Sequence, residues 1–117
     1  MNKDYPYPIL EDDKYELIVI DQDEVEDYDF PLPNFPSDEE RFSVKKGDTV
    51  KLIFHYDEPF EFKETTSSIE RMWVEVTDTS SSYIQGRLDN DPQKEGILKC
   101  DQIINFHPKH IIEIWNG

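Results

Sequence analysis

The sequence predicts a mainly β protein: a small, strongly bent antiparallel sheet or an SH3-like barrel, with an acidic N-terminal extension. Three observations predict it. The first is the stretch at residues 71–92, RMWVEVTDTSSSYIQGRLDNDP, which reads as a β-hairpin. Met72, Val74 and Val76 alternate with Trp73, Glu75 and Thr77, and Ile84, Gly86 and Leu88 alternate with Tyr83, Gln85 and Arg87, a period that puts each set on one sheet face. The second is that other short runs, VKLIF at 50–54 and IIEIW at 111–115, are also strand-like and are separated by polar loops. The third is size: 117 residues at 36% hydrophobic content allow one core, which predicts a single domain over 1–117.

Charge divides that domain. Residues 1–40 hold 14 acidic and 2 basic residues, a net of −12, while residues 41–117 hold 13 acidic and 10 basic, a net of −3. The first third is therefore an acidic N-terminal segment and residues 41–117 a nearly balanced β-rich core. Its opening, MNKDYPYPILEDD, lacks the apolar run of a signal peptide, and no run is long enough to span a membrane. A cytoplasmic location is the expectation.

In chain order, residues 15–20 (YELIVI) read as a strand that runs into the acidic stretch 21–29. Residues 30–36 (FPLPNFP) carry three prolines, which exclude a helix and a central strand. Phe30, Leu32 and Phe35 could pin that path onto the domain. Ser37 followed by Asp38, Glu39 and Glu40 suits a short helix start, with Ser as the N-cap and acids in the first turn. Lys46-Gly47-Asp48 is a turn, and Val50, Leu52 and Phe54 then alternate with Lys51, Ile53 and His55. Residues 59–68 are polar and read as a connection across the sheet, mobile at 65–68. After the central hairpin, 93–96 is a loop and 97–105 contains a strand on which Cys100 is expected as a buried structural cysteine. His107-Pro108-Lys109-His110 breaks that strand, and 111–115 closes the sheet.

Several of these residues resemble a known family. Glu70 before Met72-Trp73-Val74, then Gly86, Leu88, Asn90 and Pro92, then Asp101 with Ile103, and a final Ile with Trp115 resemble the YegJ-like bacterial domain of unknown function over roughly residues 42–115. Cys100-Asp101 stands where that pattern has a Gly-Asp turn. The resemblance implies a fold and a bacterial origin rather than a mechanism. Similar small domains also occur as immunity proteins beside polymorphic toxins, an analogy at the level of fold.

Motifs for chemistry are weak. Histidines 55, 107 and 110 read as surface or capping residues; the one cysteine allows no disulfide and no cysteine metal cage. An EF-hand loop starting at Asp21 would place Glu26 and Leu32 where Gly and a bidentate Glu are needed. No phosphate-cradling glycines and no nucleophile elbow occur. No catalytic residue, metal or cofactor is expected, and a hydrolase built on Asp101 and a histidine is the remote third reading.

The charge points to a partner. A net charge of −15 argues against nucleic acid and anionic membrane and favours a cationic protein. The expected function is a non-enzymatic immunity or antitoxin protein that covers a cationic toxin such as a nuclease. Its expected binding residues are Asp21, Asp23, Glu24, Glu26, Asp27 and Asp29, with Tyr28 as an apolar anchor, and Trp73 and Tyr83 paired on the outer hairpin face. Either the 15–20 strand or the 30–35 segment could instead cover that aromatic face. The alternative function is a regulatory module of the YegJ-like kind that binds a peptide or small ligand.

Overall fold

The computed structural model describes residues 5–27 and 32–115; of Glu26 and Asp27 it describes the backbone only. Its centre is one antiparallel sheet of β1 (Tyr15–Leu17), β2 (Thr49–Phe62), β3 (Thr65–Asp78), β4 (Ile84–Leu88), β5 (Ile103–Phe106) and β6 (Ile111–Ile114). The order is β1-β2-β3-β4-β5, and β6 also pairs with β2. β1 takes residues 54–56 of β2 and β6 takes residues 50–52, so the two short strands lie end to end along the edge of β2 that β3 does not occupy. The sheet curls into a half-barrel, open between β1 and β5.

Alternation decides which side chains fill it. Val50, Leu52, Phe54 and Tyr56 of β2 point inward with Met72, Val74, Val76, Ile84, Leu88, Ile104, Phe106 and Ile111, all buried. Met72, Val74, Val76, Ile84 and Leu88, which alternation sets on one face of the hairpin, thus face the core. Gly86 is required by close approach: a Cβ there would lie 2.5 Å from Val74 Cγ1 and 2.7 Å from the Glu75 carbonyl. Gly47 makes the turn before β2 at φ 99°.

The outer face of the sheet has a core of its own. Ile53, Ile20 and Ile112 are buried there, and Ile18, Val25, Leu32, Phe35 and Ile69 pack against them. The acidic first third thus lays Ile18, Ile20, Val25, Leu32 and Phe35 onto the sheet, while Asp23, Glu24, Asp38, Glu39 and Glu40 are exposed. Leu32 and Phe35 pin the proline-rich path as expected; Phe30 lies outside the described residues. The strand at 15–20 is shorter than expected, ending at Leu17, although Ile18 N–H still donates to the Ile53 carbonyl at 3.1 Å.

Arg41 locks this layer down. It ends the short helix α2 (Asp38–Arg41), which starts with the expected cap: Ser37 Oγ accepts from Glu40 N–H and Glu40 Oε1 accepts from Ser37 N–H. The guanidinium is fully buried. Its Nη1 donates to the carbonyls of Ile20 at 2.8 Å, Lys109 at 3.2 Å and Ile111 at 3.4 Å; Nη2 pairs with Asp38, and the group stacks 4.8 Å from the Phe35 ring centroid. One side chain therefore joins the N-terminal layer to β6. A further short helix, α1 (Leu10–Asp13), was not signalled by the sequence.

Two expectations are corrected. Residues 59–68 are not a mobile crossover but the far end of the β2–β3 hairpin, with Phe60 opposite Ser67 and Phe62 opposite Thr65. Lys63 and Glu64 form its two-residue turn at φ 49° and 67°, the mirror-image turn that suits strand twist. The register shift between His55 and Phe60 accommodates Pro59, which cannot donate to a ladder. The segment is polar because it projects past the core, not because it is a loop. Cys100 is exposed rather than buried, because the strand begins only at Ile103. Asp101, at φ 73°, makes the turn that ends the alternation before it reaches Cys100.

Candidate protein-binding face

The acidic residues fall on short helical pieces. A 3₁₀ helix spans Gln22–Asp27 and lies beside α2, where Gln22 Oε1 accepts from Asp38 N–H at 3.0 Å. Asp23 and Glu24 are exposed, as are Asp38, Glu39 and Glu40, so two acidic turns form one surface. Asp21 at its base is bonded to Lys109 Nζ at 3.0 Å. That hydrogen bond and the ammonium charge hold the Asp21 carboxyl below its ordinary range. The carboxylates of Asp21, Asp23 and Glu24 come within 4.8 Å of one another, close enough to share a cation, although Lys109 already supplies positive charge there. Tyr28 and Asp29 lie outside the described residues.

Trp73 lies on the outer face, as alternation requires, but its expected neighbour is corrected. β3 pairs with β4 through Val74 opposite Leu88 and Glu75 opposite Arg87, which sets Trp73 beside Asp89, whose N–H donates to the Trp73 carbonyl at 2.9 Å. Tyr83 precedes β4 at the opposite end of that pairing. The aromatic partner of Trp73 is Trp115, with ring centroids 5.7 Å apart and planes at 83°. The ladder that places Lys51 opposite Glu113 and Val50 opposite Ile114 carries Trp115 there. Among the described residues, neither segment expected as a cover lines the hollow at the pair, which is lined by Thr49, Trp73, Asp89 and Trp115. Leu32 and Pro33 stop at Lys51, Arg71 and Glu113, where they line a small hollow. In the sequence Trp115 was signalled only as the end of the closing strand 111–115 and as part of the family resemblance, not as a partner of Trp73.

The residues that carried the family resemblance mostly serve folding. Met72, Val74, Gly86 and Leu88 belong to the inner core. Asn90 Oδ1 accepts from Trp73 N–H, tying the end of the hairpin. Glu70 is nearly buried and accepts from Tyr56 Oη at 2.8 Å and from the N–H groups of Gln93 and Lys94 at 2.9 and 3.0 Å. It fixes the 93–96 loop, and with burial it pushes the Tyr56 phenol far up. Of the aromatic residues in the set, Trp73 faces outward half-buried and Trp115 faces outward exposed.

Both C-terminal histidines cap, as expected. His107 Nδ1 accepts from Lys109 N–H at 3.0 Å, and His110 Nδ1 accepts from His107 N–H at 2.9 Å. His110 is buried rather than on the surface, and burial together with His107 lowers its pKa to about 4. Asp101 pairs with Arg87 at 3.0 Å in solvent, with no histidine among its described partners.

One further hollow of about 520 Å³ opens between the N-terminal segment and β5, lined by Asp12, Asp13, Tyr15, Gln85, Gln102 and Asn105 among others. Asn105 Nδ2 donates to the Pro6 carbonyl across it at 3.0 Å. Burial, with the Asp13 carboxylate, raises the Tyr15 pKa to about 12.

Curled sheet, covered outer layer and paired tryptophans describe a small half-barrel β domain. The chain belongs to a family described as uncharacterized proteins conserved in bacteria, DUF2314, whose family model matches residues 35–116. No curated protein and no solved structure matches it. The resemblance to a bacterial domain of unknown function holds at that level. Among the described residues, no helix is long and apolar enough to cross a membrane.

Proposed function

We propose that the chain is a non-enzymatic, cytoplasmic binding protein that docks its acidic surface on a cationic protein. The partner we favour is a toxin domain such as a nuclease, neutralised by this chain as its immunity or antitoxin protein. A surface that binds phosphate is basic, and an acidic face is steered to it and held by complementary charge. The observation that carries this reading is that the acidic segment is built onto the sheet. Ile20, Val25, Leu32 and Phe35 anchor it, Arg41 pins it, and Gln22 joins its two acidic turns. A preorganised charged surface loses less entropy on binding than a loose tail.

The test is co-purification from the native host, then association kinetics at low and high salt. Replacing Asp23 by Asn, Glu26 by Gln and Asp27 by Asn together should slow association about 10-fold at low salt and flatten its salt dependence, with the thermal midpoint held. An unchanged rate moves the interface off this segment, and an acidic partner surface overturns the reading. The hollow between the N-terminal segment and β5 favours the second reading, a regulatory module for a peptide or small polar ligand. A neighbouring gene for a large secreted protein with a variable C-terminal domain would favour the first.

A further inference from the structure

We infer that the outer face carries a receptor for one arginine side chain of a protein partner, formed by Trp73, Trp115 and Asp89. The inference rests on the reading above for the cationic character of the partner, and it names the anchor such a partner would use.

The two indoles stand nearly perpendicular with centroids 5.7 Å apart, and together with Thr49 and Asp89 they enclose a hollow of about 270 Å³. Trp115 is 60% exposed, unusual for the largest apolar side chain, so one wall of this hollow is an open aromatic surface. Indole faces attract cations through their quadrupole. The molecule already does this once: Lys51 Nζ sits 4.5 Å from the Trp73 ring centroid and is held there by Glu113 at 3.3 Å.

The charges around the hollow ask for another cation. Lys51 is paired with Glu113, and Arg87 is paired with both Glu75 at 2.6 Å and Asp101 at 3.0 Å. Asp89 enters none of the described ion pairs, although it is exposed and lines the hollow. An incoming cation therefore meets an aromatic wall and a carboxylate that makes no ion pair among the described residues and acts on Arg87 only from a distance, on a chain of net charge −15. Arginine fits better than lysine. Its planar guanidinium stacks on an indole while its edge donates to a carboxylate, and it is less strongly hydrated than an ammonium.

The chain has two tryptophans, and both are in this hollow, so tryptophan fluorescence, excited apart from that of the tyrosines, reports on it. The experiment titrates the full chain with three capped tripeptides, Gly-Arg-Gly, Gly-Lys-Gly and Gly-Gln-Gly. The arginine peptide should give a saturable change at low salt, and the lysine peptide should bind ~3-fold or more weaker. The glutamine peptide should give none. Asp89→Asn and Trp115→Leu should each weaken the arginine peptide by ~5-fold or more while leaving the thermal midpoint in place, since both side chains are exposed. An equal response to the glutamine peptide would reduce the hollow to an apolar contact and overturn the inference. So would a binding constant unchanged in Asp89→Asn, or no saturable response to arginine. The two readings fail separately. A partner whose association follows the Asp23, Glu26 and Asp27 charges while the arginine peptide is ignored removes only the receptor. Arginine binding with no cationic partner in the host removes only the proposed function.

Discussion

The outer face of the sheet has two halves made of the same strands and treated oppositely. Around Ile53, Ile69 and Ile112 it is apolar and roofed by Ile18, Ile20, Val25, Leu32 and Phe35. Around Trp73, Arg87 and Ile103 it is open, with Ile103 52% and Trp115 60% exposed. Alternation puts all of these on one face, so periodicity does not distinguish them. What differs is the neighbouring chain. Among the described residues, the N-terminal layer covers β2 and the start of β6, and Leu32 and Pro33 lie beside the Lys51–Glu113 pair. The covered half is where this sheet gains stability, and the open half is left with aromatic and paired charged groups that water tolerates.

The same substitution at the two halves tests this most strongly. Ile53→Asp buries an unpaired carboxylate and should cost on the order of 5 kcal/mol, enough to unfold a domain of this size. Ile103→Asp, on the exposed edge strand, should change stability by no more than about 0.5 kcal/mol. Urea midpoints with a common slope measure both. Similar losses at the two positions would mean that the open half is covered too, and the comparison would fall.

How far the sequence could be read follows the same division. The hairpin, the α2 cap and the histidine caps were legible because each is local: alternation, a Ser-x-x-Glu box, and side chains bonding within three residues. The outer core was only partly legible, since Ile20, Val25 and Phe35 lie in an acid-rich and proline-rich stretch with no period. Trp115 could not be matched to Trp73, because the match depends on a long-range register between β6 and β2. Cys100 was misplaced because one left-handed residue, Asp101, ended a strand that alternation alone would have continued. Of the expected binding residues, Asp21, Asp23 and Glu24 do share a surface, whereas Tyr83 lies apart from Trp73.

Arg41 sharpens the comparison because it holds only the covered half. Arg41→Met keeps the length of the apolar stem and removes the guanidinium donor that the carbonyls of Ile20, Lys109 and Ile111 share. The loss should be about 3 kcal/mol. Amide exchange should rise first at Ile20, whose N–H donates to the Lys109 carbonyl at 3.1 Å, and not in the β3–β4 ladder. Equal acceleration in both places would show that Arg41 supports the whole sheet rather than its cover.

Acid should probe the same joint more gently. His110 Nδ1 must stay unprotonated to accept from His107 N–H, and burial with the neighbouring His107 lowers its pKa to about 4 from an ordinary 6.5. Between those values the unfolded chain takes up a proton that the folded chain refuses, so stability falls as pH drops, by up to about 1.4 kcal/mol per pH unit. Asp21 does not add to this window. Its bond to Lys109 lowers its pKa, so it stays ionised until the pH is lower still. His110 precedes β6 and lies next to Lys109, which anchors the N-terminal layer, so the covered half should loosen first. From pH 6.5 toward 4 the thermal midpoint should fall and exchange at Ile20 should rise, while tryptophan fluorescence from the open half stays constant until global unfolding. His110→Gln should start lower and fall less steeply, the slope that remains belonging in part to His107, whose pKa burial and Lys109 also lower. If its midpoint fell with pH as steeply as that of the parent, the proton uptake would belong to another group and the joint would not be the acid-sensitive part of the fold.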